Sequence, residues 1–149
     1  MKQRAWALIV GMGLLLGGHA HAQFKNDEHA VKYRRGALTT MGVHFGRLGA
    51  MVSGKMPWDA DVIKHDAKVV EVLSALPWMG FTEGSDGLSD AAKPEIWMEM
   101  DKFKQKAEAL QVNTKALDAA AQSGDLAKIK AAFGATAKSC KACHDVYRQ

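Results

Sequence analysis

The sequence predicts an all-α fold, an antiparallel four-helix bundle. In four segments, apolar residues recur at every third or fourth position, which is typical of helices with one buried face. No segment shows the strict alternation of apolar and polar residues that a half-buried strand requires. Apart from one longer loop, short connections join the segments, which favours an antiparallel arrangement of consecutive helices.

The first helix is predicted from about Asn26 to Val52 and the second from about Ala60 to Leu76. Between them, Gly54 and Pro57 mark a turn. The inward stripe of the first helix comprises Val31, Arg34, Leu38, Met41, Phe45, Leu48 and Val52. Pro77 is expected to end or kink the second helix. Its inward positions are Val62, Val69, Leu73 and Leu76.

After a glycine-rich loop at residues 79–93, Pro94 suits the first turn of a third helix. Its stripe alternates steps of four and three through Ile96, Met100, Phe103, Ala107, Leu110, Thr114, Leu117 and Ala121. A break at residues 123–125 follows, where Ser123 or Asp125 can cap the fourth helix. That helix is predicted to reach about Tyr147 through Leu126, Ile129, Phe133, Thr136, Cys140 and Cys143.

Residues 1–22 predict a secretory signal peptide, so the domain is expected to comprise residues 23–149. Lys2 and Arg4 precede a short apolar run, and Ala20-His21-Ala22 fits the small-x-small rule for cleavage. A membrane span needs about 20 apolar residues, so this run is too short to be one. Without Lys2 and Arg4, 18 basic residues face 16 acidic ones, and the net charge falls from +4 to +2. That mild charge gives no indication of nucleic-acid binding.

The two cysteines of the chain lie in Cys140-Lys141-Ala142-Cys143-His144, the C-x-x-C-H signature of covalent haem attachment. On a helix, positions i, i+3 and i+4 share one face, so both thiols and the imidazole approach the same group. The thiols would add to the two vinyl groups of one haem c, and His144 would bind the iron. Secretion supports this interpretation, because c-type haem is attached outside the cytoplasm.

Three other interpretations of the cysteine pair compete with haem attachment. A thioredoxin-like redox pair normally accompanies a βαβ pattern, which the sequence lacks. A structural zinc site needs four ligands, and there is no second cysteine pair. The third alternative is a pair of inert buried cysteines.

The sequence leaves open what faces the other side of the iron. Met41 lies on the inward stripe of the first helix and can ligate iron, as in low-spin electron carriers, although core packing explains it better. His44 lies off that stripe and is expected at the surface or the boundary. His29 and His65 are expected to be solvated.

Arginines near the two ends of the domain are further candidates for haem contacts. Arg34 occupies an inward position, where a cation needs an anionic partner. A haem propionate would be a suitable anionic partner, and Arg35 could bind it from the rim of the site. The alternative is that Arg34 lies at the bundle end and its side chain reaches solvent. Arg148 follows His144 by four residues, so it flanks the same helix face unless the C-terminus is frayed.

With this motif at the extreme C-terminus of a predicted four-helix bundle, the chain resembles the cytochrome c′ family. The resemblance extends over the whole of residues 23–149. It is carried by Ala30 to Arg34, Ala37 to Thr39, Ser74 to Trp78, Phe81, Lys93 to Trp97, Ala131 to Gly134 and Cys140 to Arg148. The family implies an iron held by His144 alone, with Leu38 crowding the open face. It also implies that Arg148 lies beside that histidine and that Arg34 lies near the propionates.

The resemblance further implies binding of nitric oxide and carbon monoxide, discrimination against dioxygen, and a homodimer built from the first two helices. The expected haem contacts are Cys140, Cys143, His144, Arg34, Arg35, Leu38, Phe81 and Arg148.

These features together predict a periplasmic haem protein and not an enzyme. An apolar face at the iron offers no hydrogen-bond donor for bound dioxygen, which favours nitric oxide and carbon monoxide. The alternative is a low-spin electron carrier with a Met or His sixth ligand, and in either role the redox partner is unidentified. A peroxidase-like catalyst ranks last, because that chemistry usually needs a distal acid–base group. The expected distal residues Leu38, Met41 and Phe45 provide none.

Overall fold

The computed structural model describes residues 23–88 and 91–149, so the predicted signal peptide lies outside the described residues. In this part of the chain the helices are α1 (Asp27–Val52), α2 (Ala60–Ser74), α3 (Glu95–Met98), α4 (Met100–Ser123) and α5 (Leu126–Tyr147). Two 3-10 helices, Pro77–Gly80 and Asp86–Leu88, lie in the loop between α2 and α3. None of the helices described is both long and apolar enough to cross a membrane.

The four long helices α1, α2, α4 and α5 form the all-α bundle that the sequence predicts. Helix α2 packs against both α1 and α4, and α4 packs against α5. Helices α1 and α5 meet where the ring of Phe45 stacks on Phe133, with centroids 4.5 Å apart. At the same place, a Cβ on Gly49 would lie 2.9 Å from Cζ of Phe133, so a larger residue there would have to displace the ring.

Side-chain caps fix the predicted helix starts. Asn26, Asp59 and Asp125 cap α1, α2 and α5 by accepting hydrogen bonds from backbone N–H groups two or three residues further on. Gly124 ends α4 with a φ of 70°, a left-handed conformation that favours glycine. The predicted break at residues 123–125 is therefore confirmed, with Asp125 and not Ser123 as the cap of the last helix.

The structure differs from the prediction in two details of the helices. The third helix was expected to run unbroken from Pro94, but it is divided at Glu99, whose φ of −135° and ψ of 48° are not helical. Helix α2 ends at Ser74 instead of Leu76. Pro77 then begins a 3-10 helix, because its ring fixes a helical φ while its nitrogen has no hydrogen to donate.

The buried face of α2 also differs from the prediction. The four predicted inward residues are only half-buried, namely Val62, Val69, Leu73 and Leu76. The fully buried residues are Ile63, Asp66, Ala67, Val70 and Ser74. Two of these are polar, so the apolar periodicity does not reveal this face. Both find partners, since Ser74 shares a hydrogen bond of 2.9 Å with Thr114 and Asp66 is bound by Arg47 and His44.

Candidate haem site

The three residues of the C-x-x-C-H motif lie together on α5. Cys140 and Cys143 are half-buried and free of any disulfide, and both line a cavity of about 550 Å³. Burial raises the pKa of each thiol. Thiol–disulfide enzymes use a lowered thiol pKa, so this environment disfavours the thioredoxin-like alternative.

His144 lines the same cavity and remains open to solvent on one side. Desolvation by the surrounding protein, and then the positive charge of Arg148, lower the pKa of His144. A lowered pKa favours the neutral imidazole, which is the form that binds metals. The surroundings of His144 therefore favour the protonation state that can bind a metal.

The cavity is lined mainly by residues of α1, α4 and α5 and of the segment between α2 and α3. Helix α1 contributes Leu38, Met41 and Phe45 to its wall, all from the predicted inward stripe. Met41 is buried, and Leu38 is half-buried. His44 is not among the lining residues and instead binds Asp66. Of the two sixth ligands that the sequence left open, only Met41 is thus near the cavity.

Aromatic rings form much of the remaining wall. Phe81 contacts Phe103 with ring centroids 4.7 Å apart, and Phe103 contacts Tyr147 edge-on at 5.3 Å. The Tyr147 hydroxyl donates to Oε1 of Glu99 at 3.0 Å. Burial, and then this hydrogen bond, raise the pKa of Tyr147 to about 12. The phenol stays neutral and gives the wall a fixed apolar surface.

Arg34 is buried, with 2% of its surface exposed, so the alternative that it reaches solvent at the bundle end is wrong. Its Nη1 donates to the Gly80 carbonyl at 2.8 Å and to Oγ of Ser85 at 2.6 Å. Its Nη2 donates to the Ser85 carbonyl, and its guanidinium lies 4.6 Å from the centre of the Phe81 ring. Arg34 therefore holds the loop at residues 80–85 against α1 while it also lines the cavity.

Positive charge surrounds the cavity. Arg35, Lys106 and Arg148 join Arg34 among its lining residues, and no carboxylate lines it within residues 23–88 and 91–149. A group with two carboxylates is the natural complement of such a site. No sequence pattern singled out Lys106, because a lysine on an amphipathic helix is usually only solvated.

The end of α5 is held by the segment before α3. The backbone carbonyl of Tyr147 accepts a hydrogen bond from the backbone N–H of Lys93 at 3.0 Å. The backbone N–H of Gln149 donates to the carbonyl of Ala91 at 3.2 Å. Ala92 and Arg148 form an isolated antiparallel bridge between these two bonds. The alternative of a frayed C-terminus is therefore wrong, and Arg148 is fixed beside the cavity.

Comparison with known proteins identifies the chain. A family model described as Cytochrome C' matches residues 29–148. The chain belongs to the cytochrome c′ family. The cytochrome c' of Alcaligenes xylosoxydans xylosoxydans is 52% identical over 127 residues, which cover 85% of this chain and 98% of the relative. That of Rubrivivax gelatinosus is 41% identical over 128 residues, covering 85% and 99%.

Solved structures of cytochrome c′ proteins share the fold. Cytochrome c prime from Shewanella frigidimarina gives a TM-score of 0.82 at 43% identity, covering 85% of this chain and 98% of that one. A nitric oxide complex of a leucine-to-alanine variant from Alcaligenes xylosoxidans gives 0.79 at 50% identity, also covering 85% and 98%.

Membership of the cytochrome c′ family implies a covalently bound c-type haem, and the cavity fits one. Two free thiols and an imidazole lie on the α5 side, and these are the groups that could bond to haem vinyl groups and to iron. Apolar and aromatic side chains suit the macrocycle, and the cations suit the propionates. The donor set of the cavity thus matches each chemical part of the group.

All eight predicted haem contacts line this one cavity, which the fold assembles from α1, the loop after α2, and α5. Their individual roles toward the haem stay predictions. Lys106, Phe103 and Tyr147 also line it and were not predicted as contacts. Phe103 and Tyr147 lie on the apolar stripes of their helices, but those stripes alone do not distinguish a cavity wall from ordinary core.

Proposed function

We propose that this cytochrome c′ binds nitric oxide and carbon monoxide at a single haem c in the periplasm. Cys140 and Cys143 would each form a thioether with one vinyl group, and His144 would be the only protein ligand of the iron. The haem would supply a ferrous iron with one open position, which can take up a diatomic gas or exchange an electron. The observation that carries the proposal is the apolar wall that α1 presents to the cavity.

The α1 wall determines which ligands the site favours. Leu38, Met41 and Phe45 exclude water and offer no hydrogen-bond donor. Thr39 also lines the cavity, but this residue is exposed to solvent. Bound dioxygen develops partial negative charge and depends on a donor more than nitric oxide or carbon monoxide does. The wall therefore favours these two gases over dioxygen.

The cationic residues would orient the group. Arg35, Lys106 and Arg148 line the cavity with positive charge, where charge-assisted hydrogen bonds to two propionates would fix the macrocycle. Arg34 adds to this charge, although Nη1 and Nη2 are already bound to the loop. Arg148 also lies close enough to His144 to act on its pKa, which supports a role on the proximal side.

A solved relative supports gas binding at such a site. The nitric oxide complex from Alcaligenes xylosoxidans was formed with a variant at a leucine, and similar complexes exist with valine and isoleucine there. In this chain, Leu38 is the leucine of α1 that lines the cavity. We infer that Leu38 controls access to the iron.

The experiment that tests the function is an absorption spectrum of the purified ferrous protein, alone and with nitric oxide or carbon monoxide. We expect a high-spin spectrum that changes on addition of either gas. Intact-mass analysis should give residues 23–149 plus one haem. A low-spin spectrum that neither gas changes would overturn the proposal, and a mass without haem would remove its foundation.

Leu38→Ala is expected to raise the affinity for carbon monoxide, because removing the side chain relieves crowding next to the iron. The matched control is Val112→Ala, since Val112 lies on α4, is 69% exposed and does not line the cavity. Carbon monoxide titration of both variants checks the prediction. Equal affinities in the two variants would show that Leu38 does not crowd the site.

One observation favours a second role. Met41 lines the cavity, so a thioether sulfur is available as a sixth ligand in a low-spin electron carrier. Met41→Leu discriminates between the two roles, since it changes the spectrum only if the sulfur binds iron. Electron exchange with an unidentified redox partner is compatible with either coordination. We do not propose catalysis, because no carboxylate lines the described part of the cavity and its one histidine is His144.

We also propose a homodimer formed through α1 and α2. Val43 and Val72 are large apolar residues on these helices, with 66% and 51% of their surfaces exposed. Burying such side chains against a second copy would remove apolar surface from water. Sedimentation analysis of the wild type and of Val43→Glu tests this, because a charge in the interface should shift the protein to a monomer.

A further inference from the structure

A second cluster of potential ligands lies between α1 and α2, away from the haem cavity. It consists of His44 from α1 with His65 and Asp66 from α2, and one ligand atom of each lies within 4.8 Å of the others. None of the three lines the haem cavity. No sequence pattern indicated this cluster, because His44 and His65 are separated along the chain and are brought together only by helix packing.

The ligand types suit a zinc-class ion. Two imidazoles and one carboxylate bind Zn²⁺ at about 2.0 to 2.2 Å, which puts ligand atoms about 3.3 Å apart around a tetrahedral ion. The present separation of at most 4.8 Å would have to shrink by about 1.5 Å. His65 is exposed, so rotation of its side chain can provide this movement without disturbing the buried Asp66.

In this structure Arg47 is hydrogen-bonded to the carboxylate of Asp66. Its Nε donates to Oδ2 of Asp66 and its Nη2 to Oδ1, which also binds Nδ1 of His44 at 2.8 Å. Burial acts to raise the pKa of Asp66, but the hydrogen bonds from Arg47 and His44 outweigh it and hold that pKa below its ordinary value. The carboxylate is therefore ionised, as a metal ligand must be.

The guanidinium of Arg47 can move away from Asp66. The side chain of Arg47 is 41% exposed, whereas that of Asp66 is fully buried, so Arg47 can turn into water while Asp66 stays in place. We propose that His44, His65 and Asp66 bind one zinc-class divalent ion at the α1–α2 seam, in exchange for Arg47. The fourth position of the ion would be open to water beside the exposed His65.

Val43 lies four residues before Arg47, and Val72 lies seven residues after His65, so the proposed homodimer would cover this seam. The proposal is therefore tested by titrating the mature holo-protein with Zn²⁺ in a calorimeter at a concentration where sedimentation shows the monomer, with Mg²⁺ as the hard-ion comparison. We expect one bound Zn²⁺ and no measurable binding of Mg²⁺, because imidazole suits zinc and not magnesium. His65→Ala should weaken zinc binding by about tenfold or more. Arg47→Gln should strengthen it severalfold, because the competing guanidinium is gone. The visible spectrum of the haem should not change on zinc addition.

His29→Ala is the matched control, since His29 is an exposed histidine on the same helix as His44 and outside the cluster. It should bind zinc as the wild type does. The alternative is that Arg47, His44 and Asp66 only fasten α1 to α2. In that case His65→Ala would bind zinc as the wild type does, or no variant would bind it, and either result overturns the proposal.

Discussion

The two halves of the bundle are stabilised in different ways. In the turn half, which carries the turns at residues 53–59 and 124–125, buried apolar side chains contact one another directly, among them Leu48, Ile63, Leu117 and Ile129. In the haem half, a cavity of about 550 Å³ separates α1 from α5, and Arg34 is buried beside it. The turn half therefore has a complete protein core, whereas the core of the haem half would be completed by the proposed haem.

The largest loss of stability should come from removing the haem with Cys140→Ser and Cys143→Ser together. An unfilled closed cavity of this size would lower the free energy of unfolding by on the order of 10 kcal/mol. That is comparable to the whole stability of a typical domain. We expect the haem half to lose ordered structure and the turn half to keep protected amides. Hydrogen exchange followed by mass spectrometry measures both halves in one experiment.

Lys141→Ser is the control, because it changes the same motif without removing a thiol. It should keep the haem and the exchange pattern of the wild type. Equal protection of both halves in the double serine variant would contradict the comparison, because it would show a haem half that is stable by itself.

The same division explains what the sequence could predict. The motif on α5 is local, so the spacing of Cys140, Cys143 and His144 determines their common face without any knowledge of the fold. The start of α1 is local too, because Asn26 caps the chain immediately before it. Its inward stripe also marks the α1 wall of the cavity, since Leu38 lies on that stripe.

Other features depend on contacts that are distant along the chain. The partners of Arg34 lie in the loop at residues 80–85, and nothing near Arg34 in the sequence indicates them. The break at Glu99 was missed because Met100 continues the apolar stripe across it. Asp66 was missed as a buried residue because its burial depends on Arg47 and His44 from another helix.

The next largest effect is expected from Gly80→Ala in the haem half. A Cβ at this position would lie 2.8 Å from the Ala30 carbonyl oxygen and 2.9 Å from Cβ of Arg34, so backbone would have to move. We expect a loss of about 3 kcal/mol, near the upper end for overpacking. Denaturant unfolding of the holo-protein measures it.

The control for Gly80→Ala is Gly46→Ala, where no atom lies within 4 Å of the added Cβ. In the middle of a helix, alanine is favoured over glycine by about 1 kcal/mol, so this variant should be more stable than the wild type. Destabilisation by both variants to the same extent would show that the tight contact of Gly80 has no special importance.

A smaller loss of stability, which depends on pH, is expected from Asp66→Asn at the α1–α2 seam. Losing the charged partner of Arg47 and His44 should cost about 2 kcal/mol near neutral pH. Since the folded-state pKa of Asp66 is lowered, its stabilisation is complete above the unfolded value of about 3.9 and is lost as the pH falls below it.

The difference between wild type and Asp66→Asn should therefore shrink below about pH 4. Denaturant unfolding from about pH 7 to about pH 3 measures it, with the exposed Asp101→Asn as control. A difference that stays constant down to the lowest pH would show that the charge of Asp66 does not contribute.

The smallest effect should come from Tyr147→Phe, which separates the ring of a cavity-wall residue from its hydroxyl. The ring would keep its edge-on contact with Phe103, and only the hydrogen bond to Glu99 would be lost. Glu99 keeps its ion pair with Lys102, so no carboxylate is left without a partner. We expect a loss of about 1 kcal/mol or less in denaturant unfolding, with the haem spectrum unchanged. Tyr33→Phe is the matched control, since the Tyr33 ring contacts Phe24 in a tilted arrangement outside the cavity. A much larger loss for Tyr147→Phe would mean that the haem half depends on its polar network as much as on the shape of its aromatic wall.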